Sequence, residues 1–173
     1  MLDIFVCGVN EVNDFIDEVD GVISIMTPGY TVYAPQSITK IENEDRYSVL
    51  RLEFDDVWQE CYQLGQEMIT PEIIDRVLDF AHSFVARFGD DSSLLVHCHE
   101  GISRSSAMAI AIYTSLYNEV NKAVARVSHQ RPQAVPNVEV IRQTDALLNL
   151  SGELYDAVSS VFYFHDLNGS SSL

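Results

Sequence analysis

The stretch that most constrains this chain is LLVHCHEGISRSSAMAIAIY, residues 94 to 113. An apolar run stops at a cysteine, a polar loop with one glycine follows, and a helical pattern rich in small residues begins at once. A strand that is apolar on both faces belongs inside a mostly parallel sheet. The loop and helix that follow it call for layers of helix against that sheet, so the expected class is α/β.

The rest of the chain fits this frame. LDIFVC and GVISIM read as strands flanking a polar helical piece from Asn10 to Asp17, TPGY is a turn, and SVLRLEF at 48–54 is a further strand that ends in DDVW. A long helix is predicted from Thr70, a natural N-cap before Pro71, to a stop at Gly89. Between them Ile74, Val77, Leu78, Ala81, Phe84, Val85 and Phe88 recur at three- and four-residue steps. Two more helical patterns, about 119–130 and 138–150, flank RPQAVPN, and Leu154, Val158, Val161 and Phe162 suggest a last helix docked on the domain. The expectation is a central, mostly parallel sheet of about four to five strands flanked by helices, with a helical C-terminal part.

Composition removes several function classes. With 26 acidic against 10 basic side chains the net charge is -16, which repels nucleic acid and anionic lipid. No stretch reaches the roughly 18 to 20 apolar residues of a membrane-spanning helix, so neither nucleic acid nor membrane is expected as a partner. The start, MLDIFVCG, lacks the features of a secretory leader. Cys7, Cys61 and Cys98 are odd in number and lack framework spacing. A reducing cytoplasm is the expected setting; the sequence is silent on oligomeric state.

In open α/β sheets, sites form beyond the carboxyl ends of the strands, which is where Cys98 falls. The next helix should begin near Ser103 or Arg104, with free amides and the positive end of its dipole facing the loop. Between Cys98 and Arg104 the residues His99, Glu100, Gly101, Ile102 and Ser103 can wrap a tetrahedral anion, their amides forming a nest, with Gly101 easing the curvature. The Arg104 guanidinium adds a fork that grips two phosphate oxygens at once. Such positive potential favours the thiolate of Cys98 and makes it a nucleophile. A metal held by the His97-Cys98-His99 triplet is disfavoured, because neighbours at a strand end face opposite ways and no other Cys/His cluster completes it.

HCHEGISRS, residues 97–105, resembles the His-Cys-x5-Arg-Ser/Thr signature of the cysteine-dependent protein tyrosine phosphatase superfamily, and its Glu-Gly-x-Ser-Arg-Ser wording is closest to the dual-specificity branch. A bare Cys-x5-Arg is common by chance, whereas the longer match between a strand and a helix is specific. FDD at 54–56 is similar to the place of that family's aspartic acid, and RPQAVPN resembles a segment that often follows the signature helix. About residues 20–150 fit.

The resemblance implies a single catalytic domain over residues 1–165, with 166–173 as a flexible tail. It implies hydrolysis of a phosphoprotein or phosphopeptide, most of all phosphotyrosine, with phosphoserine and phosphothreonine as further substrates, through a phosphocysteine and without cofactor or metal. Cys98 would attack phosphorus, Arg104 and the amides from His99 to Arg104 would hold the equatorial oxygens, Ser105 would help the thiolate depart, and His97 would orient the cysteine. An aspartic acid would protonate the leaving oxygen, and Asp56 is preferred over the alternative Asp55, since strand alternation past Phe54 puts the two on opposite sides. ECYQLGQEMITPE is expected as a loop or short helix that could line one wall of the cleft. Two other readings remain: a catalytically silent phosphoresidue-binding module of the same fold, and an arsenate reductase or sulfurtransferase, for which no second working cysteine is evident.

Overall fold

Four parallel strands form the centre of the molecule in a computed structural model that describes residues 1–163. They are β1 (Asp3–Gly8), β2 (Gly21–Met26), β3 (Ser48–Glu53) and β4 (Ser93–Cys98), in the order β1-β4-β2-β3. The two central strands are the most apolar, as expected for a sheet covered on both faces; every residue of β2 is buried. In register, Gly8 lies opposite Cys98 and Ser24 opposite His97.

Alternation divides the core into two unequal layers. Ile4, Val6, Ile23, Ile25, Leu52, Leu94 and Val96 join the larger cluster, with α3 (Pro71–Phe88), α4 (Arg104–Tyr117), α5 (Val120–Gln130), α6 (Val138–Leu147) and α7 (Glu153–Val158). Cys7, Val22 and Leu95 point to the other face, under α1 (Val12–Phe15), its 3-10 extension Ile16–Glu18, and α2 (Gln36–Ile41). The helix α4 is the buried one: Ala107, Ala109 and Ala111 are fully enclosed, and small side chains let it lie close to the sheet. Its tyrosines reach back to the sheet edge, where the amide of Leu2 donates to the Tyr117 hydroxyl, that of Ile4 to the Tyr113 hydroxyl and that of Val6 to Gln130 Oε1.

The long helix starts and stops where its residues dictate. Thr70 Oγ1 accepts from the amide of Ile73, and Gly89 takes φ +91° just past the end. At the C-terminal end Leu154 and Val158 of α7 are fully buried, with Val161 and Phe162 packed against the same core. The Asp145 carboxylate of α6 accepts from the amides of Gly152, Leu154 and Tyr155 and so caps that helix from a distance. The sequence reading has no element between residues 31 and 47, yet α2 forms there. Only Ile38 and Ile41 of its six residues are buried, too few for a period to show. The expected tail 166–173 lies outside the described residues. Thr70→Ala should lower the stability of the fold by about 1 kcal/mol, read as a lower urea midpoint at unchanged slope.

Candidate functional site

The loop after β4 is shaped by where its carbonyls go. The carbonyl of His99 accepts from the amide of Val9, that of Ile102 from Val135 and that of Ser103 from Asn137. Those of Glu100 and Gly101 accept from the Arg131 guanidinium at 3.2 and 3.0 Å. Five consecutive carbonyls are thereby held on the outside of the turn, and among the described residues the amides of His99, Glu100, Ile102 and Ser103 have no backbone acceptor. Backbone polar groups left in such a state suit a ligand rich in oxygen. Gly101 is required twice: its φ is +70°, and a Cβ there would lie 2.4 Å from the backbone of Cys7 and Gly8.

Arg131 is itself fixed by Glu11, with Nη1 and Nη2 donating to the two carboxylate oxygens at 2.8 and 2.6 Å. The hydrogen bond from Arg131 is the main cause holding the Glu11 carboxyl below its usual range, and it raises Arg131 in return. The second oxygen of Glu11 also accepts from the amide of Gly8 at the end of β1. Neither Glu11 nor Arg131 is named by the signature residues. Their partnership spans the chain, and only the RPQAVPN resemblance hinted at the arginine.

Cys98 is buried at the bottom of this loop. Its Sγ lies 3.2 Å from Ser105 Oγ and accepts from the amide of Gly101 at 3.3 Å. Arg104, also buried, donates from Nη1 to the Phe54 carbonyl and to Thr27 Oγ1, while its Nε has no hydrogen-bond partner among the described residues. His97 leaves the strand on the opposite side. A carbonyl can only accept, so Nδ1–H points to the Cys98 carbonyl at 3.4 Å and Nε2 accepts from the Ser24 hydroxyl at 2.8 Å. Burial pushes the imidazole down to about 4. Glu100 extends outward beside an exposed His99.

The two aspartates part company. Asp56 Oδ1 accepts from Ser103 Oγ at 2.6 Å and from Asn137 Nδ2 at 2.8 Å, and Oδ2 stands 4.0 Å from Arg104 Nε. Asp55 instead accepts from the amide of Glu67 and donates its own amide to the Glu67 carbonyl, closing the base of the segment between them. Asn137 caps α6, with Oδ1 accepting from the amides of Glu139 and Val140. Nothing in the sequence marked its second task, on Asp56.

Cys98, Asp56 and Arg104 line one pocket of about 480 Å³, whose far wall is Met26, Thr27 and Tyr30 from the end of β2. Among its described lining residues none comes from 60–72, so the segment expected to supply a wall leaves the Cys98 pocket clear. The reason is the Asp55–Glu67 clasp, which turns that segment away. A thiol below a ring of amides, a free guanidinium N–H and a carboxyl group at the mouth form an arrangement able to bind a tetrahedral anion and displace a group from it in line.

The Cys7 thiol sits beside the loop but on the other sheet face, and burial raises it to about 12. All three cysteines are free. Among the described residues no helix is long and apolar enough to cross a membrane.

No protein-family model matches the chain. Over 130 residues it is 28% identical to a probable dual specificity protein phosphatase of Dictyostelium discoideum, covering 70% of this chain and 33% of the relative, so it spans about a third of that protein's length. Solved structures share the fold. The human tyrosine phosphatase-like serine/threonine/tyrosine-interacting protein aligns with TM-score 0.61 at 17% identity, covering 86% of this chain and 92% of that one. The Yvh1 phosphatase domain from Chaetomium thermophilum gives 0.57 at 22%, covering 87% and 93%. A mouse putative dual specificity phosphatase complexed with zinc tungstate gives 0.59 at 17%, covering 90% and 86%.

Arg131→Ala should weaken binding of inorganic phosphate by about tenfold or more, since two loop carbonyls lose a charged donor, as titration calorimetry would read. His97 is neutral in the fold and gains a proton in the unfolded chain between pH 6.5 and about 4. Its contribution is thus whole above pH 6.5 and is lost as pH falls toward 4, by about 3 kcal/mol at most. Urea unfolding across that range should show a steeper acid loss in the wild type than in His97→Gln.

Proposed function

We propose that the chain belongs to the cysteine-dependent protein tyrosine phosphatase superfamily, which the likeness to a probable dual specificity phosphatase and the shared fold support, and that it is a phosphatase acting on phosphoproteins. Its first substrate would be phosphotyrosine, with phosphoserine and phosphothreonine as lesser ones. The observation that carries this reading is the convergence of Cys98 Sγ, the unpartnered Arg104 Nε and the Asp56 carboxyl on one pocket beneath the loop amides. The single sheet and its core serve as one catalytic domain.

In the proposed reaction the Cys98 thiolate attacks phosphorus and the bond to the leaving oxygen breaks. The loop amides and Arg104 hold the equatorial oxygens, where charge spreads. Asp56 delivers a proton to the departing oxygen and then takes one from the water that hydrolyses the phosphocysteine. Ser105, 3.2 Å from the sulfur, stabilises it as it leaves. His97 acts at one remove, holding the Cys98 peptide through its carbonyl. The acid role goes to Asp56 because Asp55 is committed to Glu67. The wall formed by Tyr30 suits an aromatic phosphoester. A nucleophilic thiol needs a reducing setting, so we place the protein in the cytoplasm.

Hydrolysis of 4-nitrophenyl phosphate under reducing conditions with EDTA tests this. Wild type should turn over and Cys98→Ser should be inert. Asp56→Asn should lose about a hundredfold or more in kcat together with the limb of the pH profile that needs a protonated acid. Asp55→Asn should keep that limb. A folded wild type that binds phosphopeptide but never turns over would identify a binding module instead.

A further inference from the structure

A second concavity, of about 420 Å³, opens beside the Cys98 pocket. The two share a wall made by Asp56 and Ser103. Beyond that wall the chemistry changes to Trp58, Val135, Pro136, Val138 and Tyr163. Two of its polar side chains are already committed. The Tyr163 hydroxyl donates to the Pro136 carbonyl, and the Asn137 amide serves Asp56, Val57 and the start of α6. What faces outward is apolar: Trp58 is 40% and Val135 53% exposed.

We propose that this concavity is a substrate subsite that takes the side chain of a large aliphatic or aromatic residue one or two positions from the phosphoresidue. The inference rests on the phosphoprotein reading above. An extended peptide advances about 3.3 Å per residue, so a chain whose phosphate lies on the Cys98 loop passes over the shared wall within two residues. Among the described lining residues none is a lysine, arginine or histidine, which rules against a second phosphate as the occupant. The net charge of -16 also turns away an acidic flank. That same charge opposes covering the patch with a second copy of the chain.

The test is a series of phosphotyrosine peptides in a glycine host, carrying Leu, Phe or Asp at each position from two before to two after the phosphotyrosine. Wild type should show kcat/KM about tenfold or more higher for Leu or Phe than for Gly at one flanking position, with Asp at or below Gly. In the full chain, Val135→Asp and separately Trp58→Ala should bring that ratio close to one. Val135 is half exposed, so its replacement spares the core, and the wild-type series stands without either variant. A ratio that persists in both variants overturns the assignment to this pocket. So does a flat wild-type series, the result expected if residues 164–173 or a second copy cover the patch; sedimentation velocity separates those two. 4-Nitrophenyl phosphate has no flank: a wild type inactive on it fails the phosphatase reading itself, whereas an active wild type with a flat series fails only the subsite.

Discussion

Five peptide carbonyls facing away from a pocket are what make the pocket. A peptide unit has its N–H and C=O on opposite sides, so whatever holds the oxygens from His99 to Ser103 outward leaves the amides turned in. The donors come from places remote in sequence: Val9 just past β1, and Arg131, Val135 and Asn137 between α5 and α6. The loop therefore takes its conformation from the assembled fold, and its own residues supply only the glycine that makes the curve possible.

The electrostatics follow from this frame. A chain with a net charge of -16 concentrates positive potential at one point by using groups that carry little or no net charge. Arg131 is balanced by Glu11, so it fixes geometry without adding a free cation. The backbone amides are dipoles, and Arg104 brings a whole charge, buried with its Nε–H left without a hydrogen-bond partner among the described residues. An anion entering such a site meets donors that need no reorganisation. Asp56 is tied at one oxygen by Ser103 and Asn137, which leaves the other facing Arg104 and the pocket.

Most of this frame was legible from the chain. The strands, the capped helix at Thr70 and the loop from Cys98 to Arg104 each carry a local signal, a period, a cap or a signature, and each appears where the residues put it. Alternation past Phe54 favoured Asp56 for the pocket side, and the structure brings Asp56 to the pocket and binds Asp55 to Glu67. What was illegible depends on contacts between distant segments. Glu11 sits in a polar stretch with nothing to mark it until Arg131 lies against it. Asn137 caps a helix, and nothing in the sequence marks its hold on a carboxylate. The segment after Trp58 has a composition that fits a cleft wall equally well, and a single clasp at Glu67 sends it elsewhere.

The tyrosines of α4 have a consequence of another kind. β1 is an edge strand, and edges invite pairing with other chains. Here the amides of Leu2, Ile4 and Val6 are consumed by Tyr117, Tyr113 and Gln130, so these three donors of the edge are withheld from any other strand. The protection arrives late, because β1 pairs with β4 some ninety positions along and its edge is closed by side chains from still further on. During synthesis the earliest strand of this chain is among the last to be satisfied, and it stays an open edge until α4 and α5 have been made.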